Sequence, residues 1–116
     1  MKYLYHIAIK EDWQRAKSNN TYTNSTLGKS LDNVGYIHLS YAHQVKLVAD
    51  FIYKGMSGLV LLKIDPSKLT SRVVVEDVEG TDEKFPHLYG PLNLDAVIDI
   101  SEFIPSGNGT FDIVSE

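Results

Sequence analysis

Cysteine is absent from this 116-residue chain, and tryptophan, methionine and proline are scarce, at one, two and four residues. Without cysteine there is no disulfide and no thiolate metal ligand, so nothing demands an oxidising compartment or suggests a zinc ribbon. No apolar run approaches the roughly 18 residues that span a membrane, and the opening MKYLYHIAIKEDW turns charged too soon for a signal-peptide core. A basic excess is missing as well. The formal charge is -4 and the pI near 5.5, which argues against an extended nucleic-acid surface, because phosphate binding normally shows as a basic face. The cytoplasm is the expected location, with no membrane partner.

What is present suits one ordinary domain spanning residues 1–116, since 43% hydrophobic and 22% charged residues are spread evenly along the chain. Residues 2–9, KYLYHIAI, read as a first strand, and KEDWQRAKSNN as a short helix anchored by Trp13. The polar run at 18–30 is too long for a tight turn, and loops of that length are often functional. VGYIHLS follows as a short strand, with Ser40 placed to cap the next helix. In that helix Ala42, Val45, Val48, Ala49 and Ile52 recur at helical spacing up to a stop at Gly55.

GLVLLKID at 58–65 is nearly all apolar, as expected of a central strand covered on both faces. RVVVE at 72–76 is a further strand, and DVEGTDEK a solvated loop. FPHLYGPL at 85–92 holds two prolines and a glycine, which predicts an irregular segment that fixes His87 and Tyr89 in place. LDAVIDI and TFDIVSE close the chain as expected strands around the turn-rich PSGNGT. The pattern predicts an α+β fold: one curved, mainly antiparallel sheet with two to three helices.

Three of the four histidines sit in similar settings, LYHIA, YIHLS and FPHLY, each at a strand or strand end among apolar or aromatic neighbours. One alone reads as a buried histidine satisfied by backbone groups; three suggest a site, because imidazole exchanges protons and binds anions near neutral pH. His43, in a first helical turn, reads as a surface residue. A three-histidine zinc site is chemically reasonable, yet the spacings of 32 and 49 residues carry no local ligand signature. His38-Leu39-Ser40 is similar to the motif of the two-histidine phosphoesterases, but that chemistry needs a second copy, which is missing. Ser40 lacks a nucleophile elbow. Tyr89, before Gly90 and Pro91, could hold a ring against a ligand or pack at a sheet edge. Arg72 and Glu76 share a strand face, as a surface pair or as an anion contact and a working carboxylate. Within GYIHLS, alternation puts Tyr36, His38 and Ser40 on one face and Ile37 and Leu39 on the other.

Tyr5-His6-Ile7, Trp13, Thr26-Leu27, GYIHLS, Gln44, Leu61 to Asp65 and above all FPHLYGPL together resemble the bacterial family called domain of unknown function 952. The resemblance covers roughly residues 3–98. That family's fold is similar to the ADP-ribosyltransferases, a group that includes the RNA 2'-phosphotransferases. The resemblance implies a nucleotide-like small-molecule ligand, NAD as cofactor, and no metal. It puts His6 on the ribose, Ser40 at the opening of the next helix, His38 and His87 beside the same cleft, and the loop around Tyr22 over it. In this reading His38, His87 and Glu76 are catalytic, while His6, Ser40, Tyr89, Tyr22 and Arg72 bind ligand. The late-strand glutamate of those transferases has only Asp95 in the matching region, so Glu76 stands in by residue type and not by motif position. Two other classes remain: a non-catalytic ligand-binding or protein-interaction module, and a three-histidine metal hydrolase.

Overall fold

The first strand, β1 (Leu4–Ile9), runs antiparallel to β4 (Leu59–Ile64), with Leu4 opposite Ile64 and Ile9 opposite Leu59. Both strands are apolar on both faces, and the computed structural model, which describes residues 2–115, shows why. One face, with Leu4, Ala8, Val60 and Leu62, packs on Trp13 and Ala16 of α1 (Lys10–Asn19). The other, with Tyr5, Ile7, Leu59 and Leu61, packs on Val45, Val48 and Ala49 of α3 (Ala42–Ile52). Two cores thus lie on either side of one sheet. That sheet is completed by β3 (Ser40–Tyr41) beside β1 and by β7 (Val97–Phe103) beside β4, in the order β3-β1-β4-β7.

The remaining strands form a second antiparallel sheet, ordered β2-β6-β5, from β2 (Ile37–His38), β6 (Lys84–Tyr89) and β5 (Arg72–Asp77). The fold is therefore α+β as expected, with the strands divided between two sheets where one curved sheet was predicted. GYIHLS crosses the division. Ile37 and Leu39 enter the core, His38 pairs with β6, and Ser40 pairs with Tyr5 in the other sheet. Ser40 and His38 lie in different sheets yet line one small cavity, and Ser40 does not cap α3. Tyr41 holds the cap position, and its N–H donates to the Gln44 side chain at 3.0 Å.

FPHLYGPL is also corrected: its first five residues lie in β6, the central strand of the second sheet. Proline is tolerated there because the Pro86 carbonyl accepts from Leu39 N–H on the β2 side, where the paired register stops at His38. In a strand the N–H and C=O of one residue point to the same neighbour. The missing donor therefore falls beyond the end of a two-residue strand and leaves the β5 ladder whole. The TFDIVSE expectation fails as well, since residues 110–115 form no strand. Phe111 instead stacks on Phe103 at 4.6 Å, its N–H donates to Asp50 at 2.8 Å, and its carbonyl accepts from Lys46 at 2.7 Å. Side chains of α3 take the place of a neighbouring strand.

A four-residue helix, α2 (Leu31–Val34), capped by Ser30, feeds β2 and ends where Gly35 adopts φ 95°, a left-handed value that side chains resist. Among the described residues no helix is long and apolar enough to cross a membrane.

Gly90, just past β6, meets another constraint: a Cβ there would lie 2.8 Å from Ser71 Cβ. Because Ser71 Cβ is fixed to the backbone, Gly90→Ala is expected to destabilise by about 1–3 kcal/mol, as overpacking does. Urea unfolding measures this, and Ser71→Gly in the same chain should restore most of the loss. An additive double mutant would refute the steric account.

Candidate functional site

Alternation along β6 points Phe85, His87 and Tyr89 to one face and Pro86 and Leu88 to the other. Register then decides their neighbours. His38 lies opposite His87, Arg72 opposite Tyr89, and Glu76 opposite Phe85, so one face of the second sheet gathers these side chains. Tyr36, just before β2, joins them by lying flat on the His87 ring, with centroids 3.9 Å apart and planes 11° apart. It is also 5.6 Å from the Tyr89 ring.

Glu76 is the hub of this face. Its Oε1 lies 2.8 Å from His87 Nδ1 and also accepts from the Tyr89 hydroxyl. These two bonds, Tyr89 first and then His87, hold its carboxyl below the usual carboxylate range, so it is ionised at neutral pH. An ionised carboxylate only accepts, so His87 Nδ1–H donates to it and Nε2 is the ring's remaining polar atom. That Nε2 is buried without a partner, and so is Nε2 of His38, whose ring centroid is 5.6 Å from that of His87. Burial, with smaller contributions from His6 and His87, lowers the His38 pKa to about 4, so this ring is neutral at pH 7. The same Glu76 bonding, with the carboxylate charge beside it, raises the Tyr89 pKa and keeps the phenol protonated.

His6 belongs to a different group. Its side chain points from β1 into the interior, where Nδ1 lies 2.7 Å from the His38 carbonyl and Nε2 2.8 Å from the Tyr22 hydroxyl. A carbonyl can only accept, so Nδ1–H donates to it and Nε2 accepts from Tyr22. Burial lowers the His6 pKa to about 4 and raises that of Tyr22. Tyr22 lies in the core, linked by backbone hydrogen bonds in both directions to Leu92, so it does not stand over a cleft. His6, His38 and Ser40 line a cavity of about 10 Å³, the size of a single water. The sequence-predicted residues thus separate into His38, His87, Glu76, Tyr89 and Arg72 on one face, and His6, Tyr22 and Ser40 inside.

The three histidines do not converge as metal ligands. Both ring nitrogens of His6 are used, and among the described residues no group of three His, Asp or Glu side chains is arranged to hold a metal ion. Asp95 lies away from the face, accepting from Asn93 at 2.7 Å in the turn before β7. His43 is exposed, 3.5 Å from Glu83. Two residues that the sequence reading named without giving them a role also support the site. Tyr36 was legible from its place two residues before His38. Gln44, buried and donating to the Lys84 carbonyl at 2.8 Å, stood only among the residues that carry the family resemblance.

Fold and face define a class: an α+β domain of two antiparallel sheets with a carboxylate–imidazole pair on the three-stranded sheet. More narrowly, the chain belongs to the family described as protein of unknown function (DUF952), whose model matches residues 7–100. It is similar to the crystal structure of protein CC0527 from Caulobacter crescentus, at 27% identity and TM-score 0.83 over 95% of this chain and 93% of that one. The solution NMR structure of CC0527 is similar at 28% identity and TM-score 0.73, over 95% and 91% of the two chains. None of the curated proteins matches this chain.

Two outcomes follow from the interior network. Tyr22→Phe leaves His6 Nε2 buried without a donor and is expected to cost about 1–3 kcal/mol in urea unfolding; an unchanged midpoint would refute the bond's role. The pH dependence has a definite sign. His6 and His38 have native pKa values near 4, against 6.5 when unfolded, so between those limits the unfolded chain binds more protons. Their contribution is complete above pH 6.5 and is lost as pH falls towards 4, by at most roughly 1.4 kcal/mol per pH unit for each ring. Unfolding free energies at pH 7, 6 and 5 should fall in that order. Equal values at pH 7 and 5 would contradict the neutral, buried state of both rings.

Proposed function

We propose that this chain is a transferase of phosphoryl type, ADP-ribosyltransferase-like in fold, that moves a phosphoryl group between a nucleotide-like small ligand of mononucleotide size and an acceptor hydroxyl. The observation that carries this reading is the Glu76–His87 pair: a carboxylate orients an imidazole whose second nitrogen is buried and unpartnered. Such a pair is suited to general base work, with Nε2 taking a proton from an attacking hydroxyl and Glu76 stabilising the imidazolium. His38, neutral beside it, serves as a hydrogen-bond partner for the reacting group. Tyr36 and Tyr89 offer rings for a base to stack on, and Arg72, in register with Tyr89, supplies a cation for one phosphate.

A dinucleotide fits less well. His6, which the transferase resemblance would assign to the NAD ribose, has both nitrogens occupied in the interior. The proposal therefore uses no step through NAD. The protein is placed in the cytoplasm under this reading, where nucleotides are abundant.

Isothermal titration with AMP, ADP-ribose, NAD and a 2'-phosphorylated RNA oligomer tests the reading. Heat is expected with AMP or the 2'-phosphorylated oligomer, and Arg72→Ala should abolish it. His87→Asn keeps a donor for Glu76 while removing the base, so binding should persist and turnover fall by roughly a hundredfold or more. No heat with any of the four ligands would overturn the proposal. Ligand bound but recovered unchanged after hours would replace the enzyme with a non-catalytic binding module.

A further inference from the structure

A cavity lies beside the Glu76–His87 face, between α3 and the loop that joins β5 to β6. Its volume is about 400 Å³, within the range of small-molecule sites. The walls are apolar: Leu47, Val48, Phe51 and Ile52 from the helix, Val78 from the loop and Phe85 from β6. Phe51 is 87% exposed and Leu47 52% exposed, a cost in water that core packing does not require. The charged groups are all acidic, and Thr81 adds a hydroxyl that donates to the Val78 carbonyl. Glu79, Asp82 and Glu83 stand along the loop, no lysine or arginine among the described residues lines the cavity, and His38 borders it with a buried Nε2 that has no hydrogen-bond partner. Glu83 also accepts from Gln44 at 3.1 Å, so the loop is tied to the helix and the groove has a fixed mouth.

We propose that this groove binds a small amphipathic cation: an apolar or aromatic body lying along Leu47, Val48 and Phe51, with an ammonium facing Glu79, Asp82 and Glu83. Charge complementarity selects the sign of the ligand, since a carboxylate or phosphate would meet three like charges and no partner. Cavity size selects a small molecule over a folded partner. The inference goes beyond the transfer reading and does not depend on it, because neither Glu76 nor His87 lines the groove.

Tryptamine, indole-3-acetate and spermidine separate the contributions, with binding followed by methyl and amide NMR shifts. Tryptamine is expected to shift Val48, Ile52 and Val78 saturably, while indole-3-acetate and spermidine bind more weakly, lacking the charge and the apolar body respectively. The variant Glu79→Gln with Asp82→Asn should weaken tryptamine by about fivefold, as two solvent-exposed charge pairs would. Both residues are in an exposed loop, and an unperturbed spectrum verifies folding. Glu79→Lys with Asp82→Lys should reverse the preference towards indole-3-acetate. Phe51→Ala should weaken tryptamine while His87→Asn leaves it unchanged, so failure here and failure of the transfer reading are distinguishable. Equal binding of tryptamine and indole-3-acetate, spermidine as tight as tryptamine, or tryptamine shifts outside the groove would each overturn the proposal.

Discussion

The two sheets are joined through the His6 imidazole. It projects from the four-stranded sheet, donates to the backbone of β2 in the three-stranded sheet, and accepts from Tyr22, which is itself tied to Leu92. Because β2 is only two residues long, its ladder alone holds it weakly. Both polar groups of the His38 backbone are held, its carbonyl by His6 and its N–H by Ser25 Oγ at 3.1 Å. Its ring is left with a free nitrogen. Rigid backbone and uncommitted side chain are what a site residue requires.

A second buried polar group fixes the other strand of the site. Gln44 accepts from Tyr41 N–H at the start of α3 and donates to the Lys84 carbonyl where β6 begins. The helix start and the strand carrying His87 therefore form one unit. An amide is suited to this because it supplies acceptor and donors at once, where an apolar residue would leave two backbone groups without partners in the interior. The face of His38 and His87 is thus held at one end by an imidazole and at the other by an amide, each bonded to backbone on one side and to a further side chain.

Elements whose signal is periodic were legible in the sequence: β1, α1, α3 and β4 follow from apolar patterning and lie where that patterning puts them. The division into two sheets was not, because a chain that leaves one sheet at Leu39 and enters another at Ser40 keeps the same alternation across the break. Pro86 concealed β6, since local rules weigh a proline against a strand without knowing which edge lacks a neighbour. At the carboxyl end, DIV has strand composition, but Lys46 and Asp50 take up the Phe111 backbone groups. Among site residues, strand alternation grouped Arg72 with Glu76 and Tyr36 with His38. That Glu76 meets His87 is a matter of cross-strand register, which no single strand encodes.

Hydrogen-bond saturation distinguishes the four histidines better than burial or motif does. His43 is exposed and pairs loosely with a surface carboxylate. His6 and His87 are buried to nearly the same degree, at 3% and 2% exposed, yet one has both nitrogens engaged and the other has one. A buried nitrogen without a partner carries a free-energy cost of about 1–3 kcal/mol. Folding alone would be better served by filling it, as Tyr22 does for His6. His38 and His87 leave two such atoms on neighbouring rings, at the junction of an aromatic face and an apolar groove. The concentration of that cost at one point is the strongest physical reason to look for function there, and it separates imidazoles that hold the fold from those free to act on a ligand.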